Sequence, residues 1–151
     1  MLHETADAVA RHLEARGYAV VRCGAALGTE TPWPVVAEEV ARLVASGGVD
    51  TAVLCCWTGT GVSIAANKVP GVRAALCGDA ETARGARRWN DANVLALGLS
   101  TTGAGPATAI VDAWLGTADV DNGELENIDR LTAMERRYGT RPEGEETSAS
   151  R

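Results

Sequence analysis

The sequence predicts an α/β fold of one domain, a parallel sheet doubly wound by helices, and three observations carry that expectation. Apolar runs of strand length alternate with amphipathic helical patterns, and strict βαβα alternation implies parallel strands joined by right-handed crossovers. The run Thr51 to Cys56 is apolar on both pleat faces, which is the mark of a central parallel strand covered by helices on both sides. Finally, 151 residues with 46% hydrophobic content suit a single core, since a chain of this size buries roughly 70% of the surface it exposes when unfolded. The expected architecture is a Rossmann-like three-layer α/β/α arrangement.

Taken in order, Ala6, Val9, Ala10 and Leu13 mark one face of an opening helix that ends at Gly17, by the i, i+3, i+4, i+7 rule. A short strand is predicted at Ala19 to Val21. After a loop containing Trp33 and Pro34, the positions Val36, Val40, Leu43 and Val44 define a second helix stopped by Ser46, Gly47 and Gly48. Thr51 to Cys56 is the best strand. The alternation continues with strands at Val72 to Leu76 and Val94 to Leu97, and with helices at Ala80 to Trp89, Ala104 to Trp114 and Leu125 to Tyr138. Residues 1–138 form the expected domain. Residues 139–151, GTRPEGEETSASR, lack the apolar side chains that would offset ordering and are expected to be a disordered acidic tail.

A formal charge of −6 argues against nucleic acid and against an anionic membrane surface, both of which need clustered Lys and Arg. No apolar run approaches the roughly 20 residues of a membrane span, and no signal-like segment opens the chain, so a cytoplasmic location is expected. Cys23, Cys55, Cys56 and Cys77 lack CxxC spacing, and the only histidines are His3 and His12; a metal site is not expected. Nor is a nicotinamide cofactor, because the GxGxxG fingerprint is missing. Small molecules and protein partners remain.

The candidate site is the segment CCWTGTGVSIAANK, which places Cys56, Thr58, Gly59, Thr60, Gly61 and Ser63 between the best strand and a predicted helix. In an open α/β sheet this is the carboxyl edge, where ligands bind. Glycines let backbone N–H groups approach a ligand, and the start of a helix adds partial positive charge, so the loop can hold an anion or a developing oxyanion. A thiol beside such a field can act as a base. On spacing alone, Cys56 reads rather as a small buried hydrophobe at a strand end, and the glycines as a tight strand-to-helix turn.

The stretch CCWTGTGVSIAANKVPGVRAALC, with ARRWNDANVLALG after it, resembles the two signature stretches of the ribose-5-phosphate isomerase B and galactose-6-phosphate isomerase family. The resemblance runs from about Ala8 to Arg137. It implies a cofactor-independent aldose–ketose isomerase acting on a sugar or sugar phosphate through an enediolate, with Cys56 as the base. Thr58, Gly59, Thr60, Gly61 and Ser63 would hold the substrate oxygens, with Asn90 and Trp89 contributing to the sugar site. It also implies a homodimer or homotetramer with sites between subunits.

Three departures from the family pattern accompany the match. The family's first strand and its Asp-His pair align ahead of Met1, and an upstream start is the expected explanation. Trp89 stands where members carry a histidine that assists ring opening, and an indole cannot exchange protons near neutral pH. Gly123 and Asn127, within the acidic segment DNGELENID, align with arginines of the family, so either the alignment slips by a few residues or the ligand differs from ordinary ribose 5-phosphate. The alternative is a diverged, non-catalytic sugar-binding or scaffold homologue.

Overall fold

The computed structural model describes residues 3–139. Three parallel strands, β1 (Ala52–Cys56), β2 (Ala74–Leu76) and β3 (Val94–Gly98), form a sheet in the order β1-β3-β2. Six helices surround it: α1 (Glu4–Ala15), α2 (Trp33–Ala45), α3 (Thr60–Ala66), α4 (Ala80–Asn90), α5 (Ala104–Leu115) and α6 (Leu125–Tyr138). No helix among the described residues is long and apolar enough to cross a membrane.

Strand alternation divides the core into two layers, because successive side chains leave opposite faces of the sheet. Val53, Cys55, Leu95 and Leu97 join Val9 of α1, Ala83 and Ala86 of α4, and Ile110, Val111 and Trp114 of α5. Leu54, Cys56, Val94 and Ala96 meet Ala37, Val40, Ala41 and Val44 of α2 and Val62 and Ala66 of α3. Small residues on the strands let both helical layers sit close. Trp114, almost fully buried, ties the first layer to the base of the sheet. Its indole N–H donates to the Thr51 hydroxyl at 2.9 Å, which in turn donates to the Asn93 carbonyl at 2.8 Å. The Arg87 guanidinium lies over its ring.

Two sequence expectations change. The central strand is β3, all five of whose residues are buried, whereas β1 stands at an edge with mostly half-buried residues. Composition reports burial from helices on both faces and not the number of paired neighbours. Ala19–Val21 forms no strand. A strand exists only as part of a ladder, and this segment joins none among the described residues; beside it Arg22 pairs with Asp7 and Glu14 of α1. Apart from Gly139, the expected tail falls outside the described residues.

Two sequence motifs prove to be mutual fasteners. In NDAN, Asp91 takes the left-handed conformation (φ 48°) that ends α4, and its carbonyl and carboxylate both accept from Arg73, at 2.8 and 2.5 Å. Asn93 accepts from the Arg73 backbone N–H at 2.8 Å and donates to the Gly71 carbonyl at 2.8 Å. The starts of β2 and β3 are thereby fixed to one another. Asn67, at the end of α3, treats Ala74 as a neighbouring strand would: its side-chain oxygen accepts from the Ala74 N–H at 2.8 Å and its amide donates to the Ala74 carbonyl at 2.9 Å.

Helix α4 opens on Asp79, whose carboxylate accepts from the backbone N–H of Thr82 at 2.7 Å and from its hydroxyl at 2.8 Å. The backbone bond, then the hydroxyl, holds the Asp79 carboxyl below its ordinary value. A carboxyl pKa lowered by folding contributes stability above the ordinary carboxylate range, and that stability is lost as pH falls through the lowered folded value. Asp79→Ala is therefore expected to lower stability to urea near pH 7, with the gap from the parent protein narrowing as pH falls below the ordinary carboxylate range.

Candidate functional site

The loop after β1 is built around a close backbone approach. Gly59 has φ +76°, the left-handed region that favours glycine. A methyl group there would lie 2.5 Å from Leu76 Cδ1, 2.9 Å from the Leu97 carbonyl carbon and 3.0 Å from the Gly98 nitrogen. A methyl group on Gly98 would meet the Thr58 carbonyl oxygen at 2.8 Å. The turn thus presses directly on the end of the central strand, secured by Leu99 and Ser100 N–H groups donating to the Cys56 and Trp57 carbonyls, each at 2.9 Å.

This turn sets the positions of the reactive side chains. Cys56 is half-buried at the end of β1, on the face shared with α2 and α3. Its neighbour Cys55 points into the other layer, and burial pushes the Cys55 thiol up to about 11. Alternation along the strand therefore separates an inert thiol from one at the rim of the loop. Thr58 and Thr60 expose their hydroxyls and hold them 2.7 Å apart. No side chain caps the start of α3, which Gly59 precedes, so its first N–H groups are available to a ligand oxygen. Because α3 has only seven residues, these local donors matter more than a helix dipole.

Cys56, Thr58, Gly59, Thr60 and Gly61 follow one another along this turn, from the end of β1 into the first turn of α3. Ser63 is adjacent, but its hydroxyl is directed at the Ala74 carbonyl, 3.5 Å away. Trp89 and Asn90 are not brought to the loop within one chain. Helix α4 connects β2 to the parallel strand β3 and must run against them, so its last residues lie at the amino edge of the sheet, roughly 16 Å from the carboxyl edge. The Trp89 ring folds back on its own helix: a methyl group at Gly85 would lie 2.7 Å from it. The segment containing Gly123 and Asn127 lies at that same amino edge, where the Asp121 N–H donates to the Arg88 carbonyl at 2.8 Å. Asn127 itself donates to Glu124 at 2.8 Å.

The residue that sequence reasoning missed is Trp33. It opens α2, and α2 runs down to β1, so its first residue lies at the carboxyl edge. Its ring rests against Gly61. The Gly61 position, small where an aromatic must pass, was the only sequence signal, and it has meaning only once the partner is known. Among the described residues, no three His, Cys, Asp or Glu side chains gather to hold a metal ion.

A carboxyl-edge turn of an α/β protein that combines a thiol, paired hydroxyls and uncapped N–H groups offers donors suited to a small, oxygen-rich ligand. Comparison with known proteins makes this specific. Residues 2–132 match the Ribose/Galactose Isomerase family. The chain is 41% identical to ribose-5-phosphate isomerase B of Escherichia coli strain K12 over 129 residues, 85% of this chain and 87% of that protein. It is 44% identical to D-erythrulose-4-phosphate isomerase 2 of Mycolicibacterium smegmatis over 106 residues, 70% of each chain. The solved structure of Clostridium thermocellum ribose-5-phosphate isomerase B aligns with a TM-score of 0.83 at 38% identity, covering 89% of this chain and 90% of that one. The chain belongs to the ribose/galactose isomerase family of sugar phosphate isomerases.

Gly59→Ala combines an unfavourable φ with overlap against strand backbone, and is expected to cost about 1–3 kcal/mol. Gly78→Ala in the loop before α4, where φ is not positive and an added methyl meets nothing within 4 Å, is expected to be neutral or to stabilise by up to about 1 kcal/mol. Urea titrations of both variants check this contrast.

Proposed function

We propose that this chain interconverts an aldose phosphate and a ketose phosphate through an enediolate, with Cys56 as the base. The observation that carries the reading is the Gly59 turn, pressed onto the end of β3, which presents Cys56, the Thr58 and Thr60 hydroxyls and the uncapped start of α3 within one short loop. In the forward step the Cys56 thiolate takes the proton from the hydroxyl-bearing carbon next to the carbonyl. The electron pair moves to the carbonyl oxygen, giving the enediolate, which the Thr58 and Thr60 hydroxyls and the N–H groups of Gly59 and Gly61 hold. The thiol returns its proton to the neighbouring carbon as the hydroxyl proton passes between the two oxygens. Protons move and no net oxidation occurs, so the step calls for neither metal nor nicotinamide. A sugar phosphate is the substrate class because the relatives named above act on ribose 5-phosphate and D-erythrulose 4-phosphate.

The same reading includes a homodimer in which one protomer brings Trp89 and Asn90 to the Cys56 loop of its partner. Two observations support it: these residues lie at the wrong edge to serve their own loop, and α6 exposes an apolar stripe. Leu125, Leu131, Met134 and Tyr138 repeat at helical spacing and are exposed, while Ile128 alone on that helix is buried. Contiguous exposed apolar surface of this kind marks interaction sites. The second reading, a non-catalytic homologue, draws on Trp89 in place of a proton-transferring histidine and on the acidic surroundings of Gly123 and Asn127.

The deciding assay follows isomerisation and solvent-deuterium incorporation with ribose 5-phosphate, D-erythrulose 4-phosphate and galactose 6-phosphate, each beside its free sugar. Turnover is expected with at least one phosphate, falling at least about 100-fold in Cys56→Ala and staying within severalfold of the parent in Cys55→Ala. Exchange retained by Cys56→Ala rejects the base assignment; no turnover of any sugar favours the non-catalytic reading. Separately, Met134→Glu is expected to shift the protein from dimer to monomer in sedimentation velocity.

A further inference from the structure

We infer that Trp33 is a substrate-contacting residue, the aromatic wall against which the C–H face of the bound sugar phosphate packs; this rests on the isomerase reading of the Cys56 loop and adds to it a residue outside the loop.

The chain path places Trp33 at the carboxyl edge, and the core assigns it to the correct face. Helix α2 packs in the same layer as Leu54, Cys56 and Val62, so its first turn stands on the side of the sheet to which Cys56 points. Contact is direct: a methyl group on Gly61 would lie 3.2 Å from both Cζ3 and Cη2 of the indole and 3.5 Å from Cε3. The six-membered ring therefore lies against bare backbone in the first turn of α3, one residue beyond Thr60 and two beyond Gly59. A methyl group there would have to push the ring back by a few tenths of an ångström.

Trp33 is also held, and held partly in the open. Pro32 and Pro34 flank it, each fixing its own backbone angle. Yet 51% of the residue is exposed. A large aromatic that is oriented by prolines, seated on a ligand loop and left half uncovered has an apolar face to offer and no described side chain to cover it. The loop otherwise supplies hydroxyls and N–H groups, all directed at oxygen. A sugar phosphate presents both kinds of surface, hydroxyls on some sides and C–H groups on another, and small-molecule sites pair a few polar groups with an aromatic wall. Of the other exposed tryptophans, Trp89 stands at the opposite edge of its own chain and reaches the loop only from a partner protomer.

The test labels the intact protein with 5-fluorotryptophan and assigns its four fluorine resonances by single Trp→Phe substitutions. Addition of ribose 5-phosphate or D-erythrulose 4-phosphate is expected to shift the Trp33 resonance saturably, with inorganic phosphate alone giving no comparable shift. In steady-state assays Trp33→Ala is expected to raise KM at least tenfold with kcat within about threefold, and Trp33→Phe to recover most of the loss. A Trp33 resonance unmoved by every sugar phosphate, or an unchanged KM in a folded Trp33→Ala, overturns the inference while leaving the Cys56 assignment intact. A saturable Trp33 shift without turnover upholds the contact and rejects the isomerase reading instead.

Discussion

The contact on which the site depends is made between two stretches of backbone. The Thr58–Gly59 peptide lies against the Leu97–Gly98 peptide so closely that neither glycine can carry a side chain. This contact converts the end of an ordinary strand into a turn that faces outward, and it fixes the spacing between Cys56 and the hydroxyls that follow. It also makes the central strand a part of the site without lending it a side chain: β3 supplies the surface on which the turn is shaped. Exposed loops can usually drift, but this one is held by the most buried element in the molecule.

At the opposite edge the order is kept by polar groups. Arg73, Asp91 and Asn93 form a set of bonds that aligns the starts of β2 and β3, while Thr51 and Trp114 tie the entry to β1 to the end of α5. Polar fastening at one end and close backbone packing at the other suit a sheet of Ala, Val and Cys, whose small side chains give each strand little apolar area to bury. The motif NDAN, which reads in sequence as a substrate-binding signature, is for its last three residues an arrangement for ending a helix and starting a strand in register.

Much of this was legible in the sequence because it is local. Helix faces, the apolar Thr51–Cys56 run and the glycine-bearing loop after it are encoded by neighbours in the chain, and each stands where periodicity puts it. Strand order is not local: the run most apolar on both faces became the edge strand, and Ala19–Val21, with good strand composition, pairs with nothing described. The tryptophans show the same limit. Trp57 and Trp89 flank recognisable motifs and draw the eye, but the direction of α4 carries Trp89 away from the loop. Trp33 sits in an unremarkable Pro-rich turn, and only the packing of α2 on α3 brings it to Gly61.

Asn67 gives the sheet a direction. Its side-chain amide occupies both the N–H and the carbonyl of Ala74 on the outer edge of β2, the groups a further strand would use. A polypeptide approaching from that side finds its first hydrogen-bonding position already taken by a side chain too short to continue the ladder. Among the described residues no side chain takes the corresponding groups of β1, so the two edges of the sheet differ chemically: the β2 edge is blocked at its first position and the β1 edge is not. Asn67 thus acts as a stop signal for β-structure, placed by a helix end and read by backbone alone.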